Sequence, residues 1–231
     1  MSLDAGAAAV TFGRGGDEPY HHALSTGGPL HLFEHGSAAG ASTTPQRVPV
    51  HRFLAGADRT ERRLLASTRG SVLDVGCGPG RMVAEARRRG RDALGVDVSP
   101  TSVRLAADRG IPVHLGSVFG PLPAEGSWDV LLLLDGNVGI GGDPSTLLHR
   151  CRDVASPAGL LVIETSPERG RLARYTAQVS TADGRPSDPF PWAEVGADAL
   201  VSPARDAGWH RLREVRRRRR TFVVLGVGVR S

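Results

Sequence analysis

The chain has 231 residues, of which 40% are hydrophobic and 23% charged, and a formal charge of +5. That size and balance suit a single soluble domain with some additions and a buried core. No apolar run reaches the ~18 residues of a transmembrane helix, so a membrane is not an expected partner. Two cysteines, Cys77 and Cys151, form neither a disulfide framework nor a metal spacing. With no secretory leader in view, the expected location is a reducing cytoplasm. There is no lysine, so all 29 basic side chains are arginine. Their one cluster, 216–220, reads as a charged hairpin edge that discourages strand pairing, or as a patch for an acidic partner. Aromatic side chains are not interleaved with it, and nucleic acid is not an expected partner.

In chain order, residues 1–18 are rich in Gly and Ala without periodicity and are expected to be disordered or loosely draped. Five of eight histidines follow between positions 21 and 51. Their intervals fit no zinc pattern and no cysteine accompanies them, so no metal site is expected. Residues 36–50, rich in Ser, Ala, Thr and Pro, read as a linker. The first fifty residues thus form an arm, and 51–231 form the domain. A helix is expected over 50–68, with Phe53, Leu54, Ala57, Leu64 and Leu65 on one face and Arg52, Arg59, Glu61 and Arg62 outside.

The stretch 71–80, SVLDVGCGPG, reads as a buried strand entering a glycine turn, with Asp74 near the strand's end. Gly76, Gly78 and Gly80 permit a tight turn and close approach to a ligand. A helix over 82–89 follows. Arg81 occupies the place where a dinucleotide fingerprint needs its third glycine or alanine, and the turn lacks a P-loop lysine. A second strand, 93–96, ends at Asp97, where a carboxylate can accept both ribose hydroxyls; the alternative is a cap for the helix over 101–109. A short strand, 112–115, leads to Ser117. The fourth strand, 128–134, is almost continuously apolar and expected to be buried on both faces. It runs into a loop with Asp135, Asn137 and glycines at 136, 139, 141 and 142, which point to close backbone approach to a ligand or simply to a flexible loop. Asp143-Pro144 reads as the cap of a helix over 145–155. A fifth strand, 160–164, precedes an insert, 166–194, expected as a β-hairpin. A helix over 197–207 and strands over 209–216 and 222–229 complete the chain.

An acidic residue followed by G-x-G-x-G at the end of one strand, with VDVSP at the end of the next, resembles the class I S-adenosylmethionine-dependent methyltransferases. The resemblance spans roughly 51–231 and is strongest at those two strands. It implies an α/β fold: a doubly wound, mostly parallel sheet of seven strands whose last strand inserts antiparallel. It implies S-adenosylmethionine as cofactor, held by Asp74, Gly76, Cys77, Gly78 and Gly80, with Asp97 on the ribose and Val98 against the adenine. Ser117 stands where many relatives carry an aspartate on the adenine amino group, beside the Val118 backbone. Leu134 and the loop after it face the methionine end, and the arm forms a lid. Positioning a methyl that is already activated, about 3 Å from a nucleophile, needs no triad or metal. A base, where one is used, is sought in Asp135, then in His21 or His22, for which surface or packing roles are the alternative. Tyr20, Asn137, Phe190 and Trp192 are candidates for the acceptor pocket, with packing as the alternative for the last two. The expected reaction is methylation of a small-molecule oxygen or nitrogen. A peptide or protein acceptor and a non-catalytic scaffold are the competing readings. The oligomeric state does not follow from the sequence.

Overall fold

The computed structural model describes residues 12–16, 18–35, 45–182 and 184–228. Most of the stretch expected to be disordered, and 36–44 of the expected linker, lie outside the described residues.

The chain begins with α1 (Pro19–Thr26), β1 (Leu30–Glu34) and β2 (Gln46–Val48). Two short helices follow, α2 (Val50–Leu54) and α3 (Arg59–Ala66), where one was expected. The break has a local cause. Asp58 accepts from the amides of Thr60 and Glu61, and Glu61 returns a bond to the Asp58 amide, a capping box that starts a new helix. The alternating core follows: β3 (Val72–Val75), α4 (Arg81–Arg88), β4 (Ala93–Asp97), α5 (Pro100–Ala107), β5 (Val113–Leu115) and β6 (Trp128–Leu133). A 3-10 turn (Asn137–Gly139), α6 (Pro144–Val154) and β7 (Ala155–Thr165) come next. Then come β8 (Leu172–Ser180), β9 (Phe190–Val195), α7 (Val201–Asp206), β10 (Trp209–Arg217) and β11 (Arg220–Val227).

Seven strands form one sheet in the order β10-β11-β7-β6-β3-β4-β5. Neighbours from β7 through β5 are parallel, and β11 runs antiparallel to both β7 and β10. This is the doubly wound sheet with an antiparallel ending that the resemblance implied. Every residue of β3 is buried, as are five of the six in β6, because helices cover both faces of a parallel sheet. The chain order reverses at β3, between β4 and β6, so a crevice opens at the carboxyl ends of those strands.

The insert forms the expected hairpin, with Tyr175 opposite Trp192. It is not an isolated one. It joins the first strands of the chain in a four-stranded sheet, β2-β1-β8-β9, with Leu30 opposite Val48 and Leu32 opposite Val179. Part of the expected linker is therefore strand. This sheet has its own apolar cluster, which includes Tyr20, Leu24, Leu30, Leu32, Val179 and Phe190.

Candidate active site

A cavity of about 880 Å³ lies between the two sheets, walled by the carboxyl ends of the parallel strands, the loops after β3 and β6, and strands β2 and β9. It falls within the ~300–1,000 Å³ typical of small-molecule sites.

The floor is the turn between β3 and α4. Gly76, Gly78 and Gly80 all have positive φ, at 67°, 55° and 81°, which glycine adopts without a Cβ penalty. The amides of Gly76 and Cys77 donate to the Val96 carbonyl at 2.8 and 3.2 Å, fastening the turn to β4. From the other side Asn137 Nδ2 donates to the carbonyls of Val75 and Gly76 at 2.8 and 2.9 Å. A Cβ at position 76 would stand 2.6 Å from that nitrogen. Gly80 plays a different part from the one expected. It lies off the cavity wall as the N-cap of α4, and a Cβ there would meet Ile111 at 2.7 Å. Its close approach is to protein.

Asp97 lies at the carboxyl end of β4, on the wall and buried. Its Oδ2 accepts from the Gly78 amide and its Oδ1 from the Ser99 amide, each at 2.8 Å. One donor per oxygen leaves lone pairs for two further hydroxyls. Burial raises its pKa, and the two amides oppose the rise. The cap of α5 is instead Ser99, whose hydroxyl accepts from the Ser102 amide. Val98, Ser117 and Val118 line the same end, and Ser117 Oγ accepts from the Phe119 amide at 3.2 Å. An acid beside an apolar slot and a glycine turn fits the ribose and base of an adenosine cofactor. Cys77 is on the wall, but burial and then the charge of Asp74 push its thiol well above the usual range, so it stays protonated. Asp74 and Leu134 are buried behind the wall rather than on it. Burial lifts Asp74 to about 7, against the opposing charge of Arg81.

The methionine end, as the resemblance placed it, holds an ion network whose members were dispersed in the sequence. Arg81 reaches Glu61 Oε1 at 2.9 Å and Asp135 Oδ2 at 2.5 Å through one nitrogen. Arg52 reaches the same two carboxylates at 3.1 and 3.3 Å. Arg220 grips Glu164 with two bonds of 2.6 Å and touches Glu61 at 3.0 Å. Burial alone would raise the Glu61 carboxyl, but the hydrogen bond and charge of Arg81 outweigh it and hold it at about 2. Two expectations are corrected. Glu61 and Arg52 were placed on an outer helical face, yet Glu61 is 1% exposed. Arg220 was placed on a solvated hairpin edge, yet it turns inward to four carboxylates, Asp58, Glu61, Glu164 and, at 3.9 Å, Asp135.

Asp135 is on the wall, in a left-handed conformation at φ 54°. Burial raises its pKa, Arg81 opposes and Glu164 adds to the rise. With Arg81 and Arg52 on its oxygens, it is committed as a counterion more than the expectation of a base required. His21 and His22 are exposed and off the wall, and His21 Nδ1 lies 2.6 Å from Thr101 Oγ1. Among the described residues no histidine lines the cavity and no group of three or more His, Cys, Asp or Glu is arranged to hold a metal.

Tyr20, Asn137, Phe190 and Trp192 all reach the wall. Phe12, which drew no attention in the sequence, joins them. Its ring centroid is 5.0 Å from Tyr20, 5.2 Å from Phe190 and 5.7 Å from Trp192. The glycines of the β6–α6 loop serve packing more than a ligand. A Cβ at 139 would collide with the Ala193 carbonyl oxygen, and one at 142 would meet Pro191 at 2.8 Å. Only Gly136 has open space around it among the four, since position 141 is closed by the Phe119 ring at 2.8 Å.

The sheet order, the glycine turn and the acid at the end of the second parallel strand define the class I S-adenosylmethionine-dependent methyltransferases. Residues 50–208 match the family model described as a methyltransferase domain, and the chain belongs to that family. It is 39% identical over 69 residues to the magnesium-protoporphyrin O-methyltransferase of Rhodobacter capsulatus, covering 28% of this chain and 31% of that one. It is 29% identical over 143 residues to the ubiquinone biosynthesis O-methyltransferase of Sinorhizobium medicae, covering 59% and 54%. The chain thus spans about a third to a half of the length of these curated relatives. In fold it is similar to a methyltransferase from Bacteroides fragilis solved with S-adenosyl-L-homocysteine, with a TM-score of 0.72 and 21% identity over 90% of this chain and 92% of that one.

Proposed function

We propose that this chain transfers the methyl group of S-adenosylmethionine to an oxygen or nitrogen atom of a small molecule held beneath the four-stranded sheet. The observation that carries the reading is the position of Asp97, with free lone pairs, beside the glycine turn and on the wall of a cavity that continues under β2 and β9. When bound, S-adenosylmethionine supplies a methyl carbon on a sulfonium, which leaves its bonding pair on sulfur as an acceptor lone pair forms the new bond.

The residues of this chain bind, orient and exclude water. Asp97 receives the ribose hydroxyls, and Val98 and Val118 bracket the base. The Asn137 clamp keeps the floor rigid, so that a short donor–acceptor distance costs little reorganisation. The ion network fixes α3, α4, β7 and β11 around the methionine end. A hydroxyl or ammonium acceptor gives up one proton, and a neutral amine gives it up after transfer. Two curated relatives bear O-methyltransferase names, which supports oxygen as the acceptor atom.

Asp97→Asn tests the cofactor half of the proposal by calorimetry with S-adenosylhomocysteine. Affinity is expected to fall by more than about tenfold, roughly 1.4 kcal/mol, with the far-ultraviolet dichroism unchanged. An unaltered affinity overturns the assignment of Asp97.

A further inference from the structure

The base end of the cavity stands just beyond the edge of the parallel sheet. Gly116, Ser117, Val118 and Phe119, which follow β5, all line the wall. β5 is three residues long and is the last strand on its side of the sheet. Within the segment after it the hydrogen bonds are local. The Gly120 amide donates to the Ser117 carbonyl at 3.0 Å, and the Phe119 amide to Ser117 Oγ at 3.2 Å. One backbone bond, from the Gly116 amide to the Asp97 carbonyl at 3.0 Å, ties the segment to β4. The side chains of Val118 and Leu122 are buried in the main core cluster. They anchor the segment but leave the orientation of its peptide groups open.

Arg150, on α6, supplies that orientation. Its Nε donates to the Val118 carbonyl at 2.8 Å, and its Nη2 to the Gly120 carbonyl at 2.6 Å. Nη1 donates to Glu125 Oε2 at 3.1 Å, and Nη2 also donates to Glu125 Oε1. Glu125 Oε1 in turn accepts from the Leu122 amide at 2.7 Å. Four of the five N–H donors of the guanidinium are thus used on residues 118–125. A planar fork fixes the direction of its acceptors as well as their distance. The Arg150 side chain is 17% exposed, so solvent competes little for these bonds. Arg150 itself does not line the cavity. The amide of Val118 has no hydrogen-bond partner among the described residues. It is a donor left over on the wall, in the same residue whose carbonyl Arg150 grips.

We propose that Arg150 is a positioning residue for the cofactor's base: it holds the turn over 117–120 so that the Val118 amide meets the ring edge, and so makes the site choose adenine over an oxo-purine. The proposal rests on the methyltransferase reading and deepens it. Adenine offers a lone pair at N1, which an N–H donor matches. An oxo-purine such as hypoxanthine carries a proton at N1, so two donors face each other and the buried one goes unsatisfied. That mismatch costs roughly tenfold or more in affinity. The preference lasts only while the amide is held in place, since a turn free to swing would yield to either base.

The test uses the full chain and two ligands, titrated by calorimetry. They are S-adenosylhomocysteine and S-inosylhomocysteine, which differ only in the amino or oxo group of the purine and the proton at N1. The wild-type chain is expected to bind the adenine compound at least about tenfold more tightly. In Arg150→Gln the ratio is expected to fall to within about threefold, through weaker binding of the adenine compound. Arg150→Lys, which keeps the charge and can reach one carbonyl, restores part of the ratio. Glu125→Gln, which loosens the guanidinium without removing it, lowers the ratio less than Arg150→Gln does. Asp97→Asn weakens both ligands alike and keeps the wild-type ratio. A tie that is only structural would lower the melting temperature without moving the ratio, so the ratio decides. The proposal is overturned if folded Arg150→Gln keeps the wild-type ratio, if the wild-type chain binds both ligands equally, or if Asp97→Asn shifts the ratio as far as Arg150→Gln does. Where Arg150→Gln does not fold, a wild-type ratio in both Arg150→Lys and Glu125→Gln overturns it. Failure of the wild-type chain to bind either ligand is a separate outcome, which defeats the cofactor reading on which the proposal rests.

Discussion

The two sheets that enclose the cavity are assembled in opposite ways. The seven-stranded sheet grows mostly from consecutive parts of the chain: β3 lies beside β4, β4 beside β5 and β6 beside β7. The four-stranded sheet brings β1 against β8, with Leu32 opposite Val179, across almost the whole core. The first carries its share of the cavity wall on short local segments, such as the turn over Gly76, Cys77 and Gly78. The second positions its wall by long-range pairing of strands that have few partners elsewhere. A change in the roof can therefore alter what is admitted without disturbing the cofactor floor. Structures built from non-local contacts also close a longer chain loop before they gain from it, which makes the roof the later part to form.

The sharpest challenge to the independence of the two regions is Arg81→Met, in the floor. It strips Glu61 and Asp135 of the most buried of the cations they share, while both remain buried. Removing one partner of a buried pair costs about 3–5 kcal/mol, and the melting temperature is expected to fall by roughly 10 °C or more. A fall of only a degree or two in a thermal scan would show that Arg52 and Arg220 sustain the network alone. Next in size is Leu30→Ala, in the roof. Leu30 is fully buried, and its truncation costs about 2–5 kcal/mol. Hydrogen exchange is expected to accelerate in β1 and β8 while β3 and β6 stay protected, and the affinity for S-adenosylhomocysteine is expected to hold. Exchange rising equally in both sheets would mean that they open as one unit.

The most gradual effect, spread over about three pH units, concerns Asp74, beneath the floor. Its carboxyl titrates near 3.8 when unfolded and at about 7 when folded. Between those values the folded chain keeps a proton that the unfolded chain has lost. Raising pH through that window therefore favours unfolding, by up to roughly 1.4 kcal/mol per unit. Asp74→Asn lacks this slope. Its stability relative to wild type, measured by urea titration, is expected to rise between about pH 4 and pH 7 and to level off above. A constant difference across the range would place Asp74 in a solvated setting.

How much could be read beforehand follows the same division. Hydrophobic runs and glycine turns announced the parallel sheet, and Asp74, Gly76, Gly78 and Asp97 announced the floor, because each signal is contained in a few adjacent residues. The roof was only half visible. The hairpin over β8 and β9 alternates over enough residues to be seen. β1 is five residues long and β2 three, too short for periodicity to separate from a linker. The ion network was hidden for another reason. Glu61, Arg81, Glu164 and Arg220 sit on four elements, and none of them by itself signals an ion network, while Asp135 in the loop after β6 was read as a candidate base. The D-x-x-E pattern at Asp58–Glu61 was the one local sign, and it marked a helix start rather than a buried acid. Phe12 lacked even that, since its meaning depends on rings from α1 and from β9, near the far end of the chain.

The loop glycines at 139 and 142 carry a consequence for heredity and design. Because each is pressed against the backbone or proline of β9, the loop and the strand above it are complementary surfaces of one joint. A hairpin grafted from another chain would arrive without its matching seat, and a side chain appearing at either glycine would lever the roof off its support. Exchange of acceptor preference between such proteins must therefore move two cassettes together, the hairpin and the loop that bears it. Alternatively, it can be confined to side chains such as Phe12 and Trp192, which can vary while the joint stays whole.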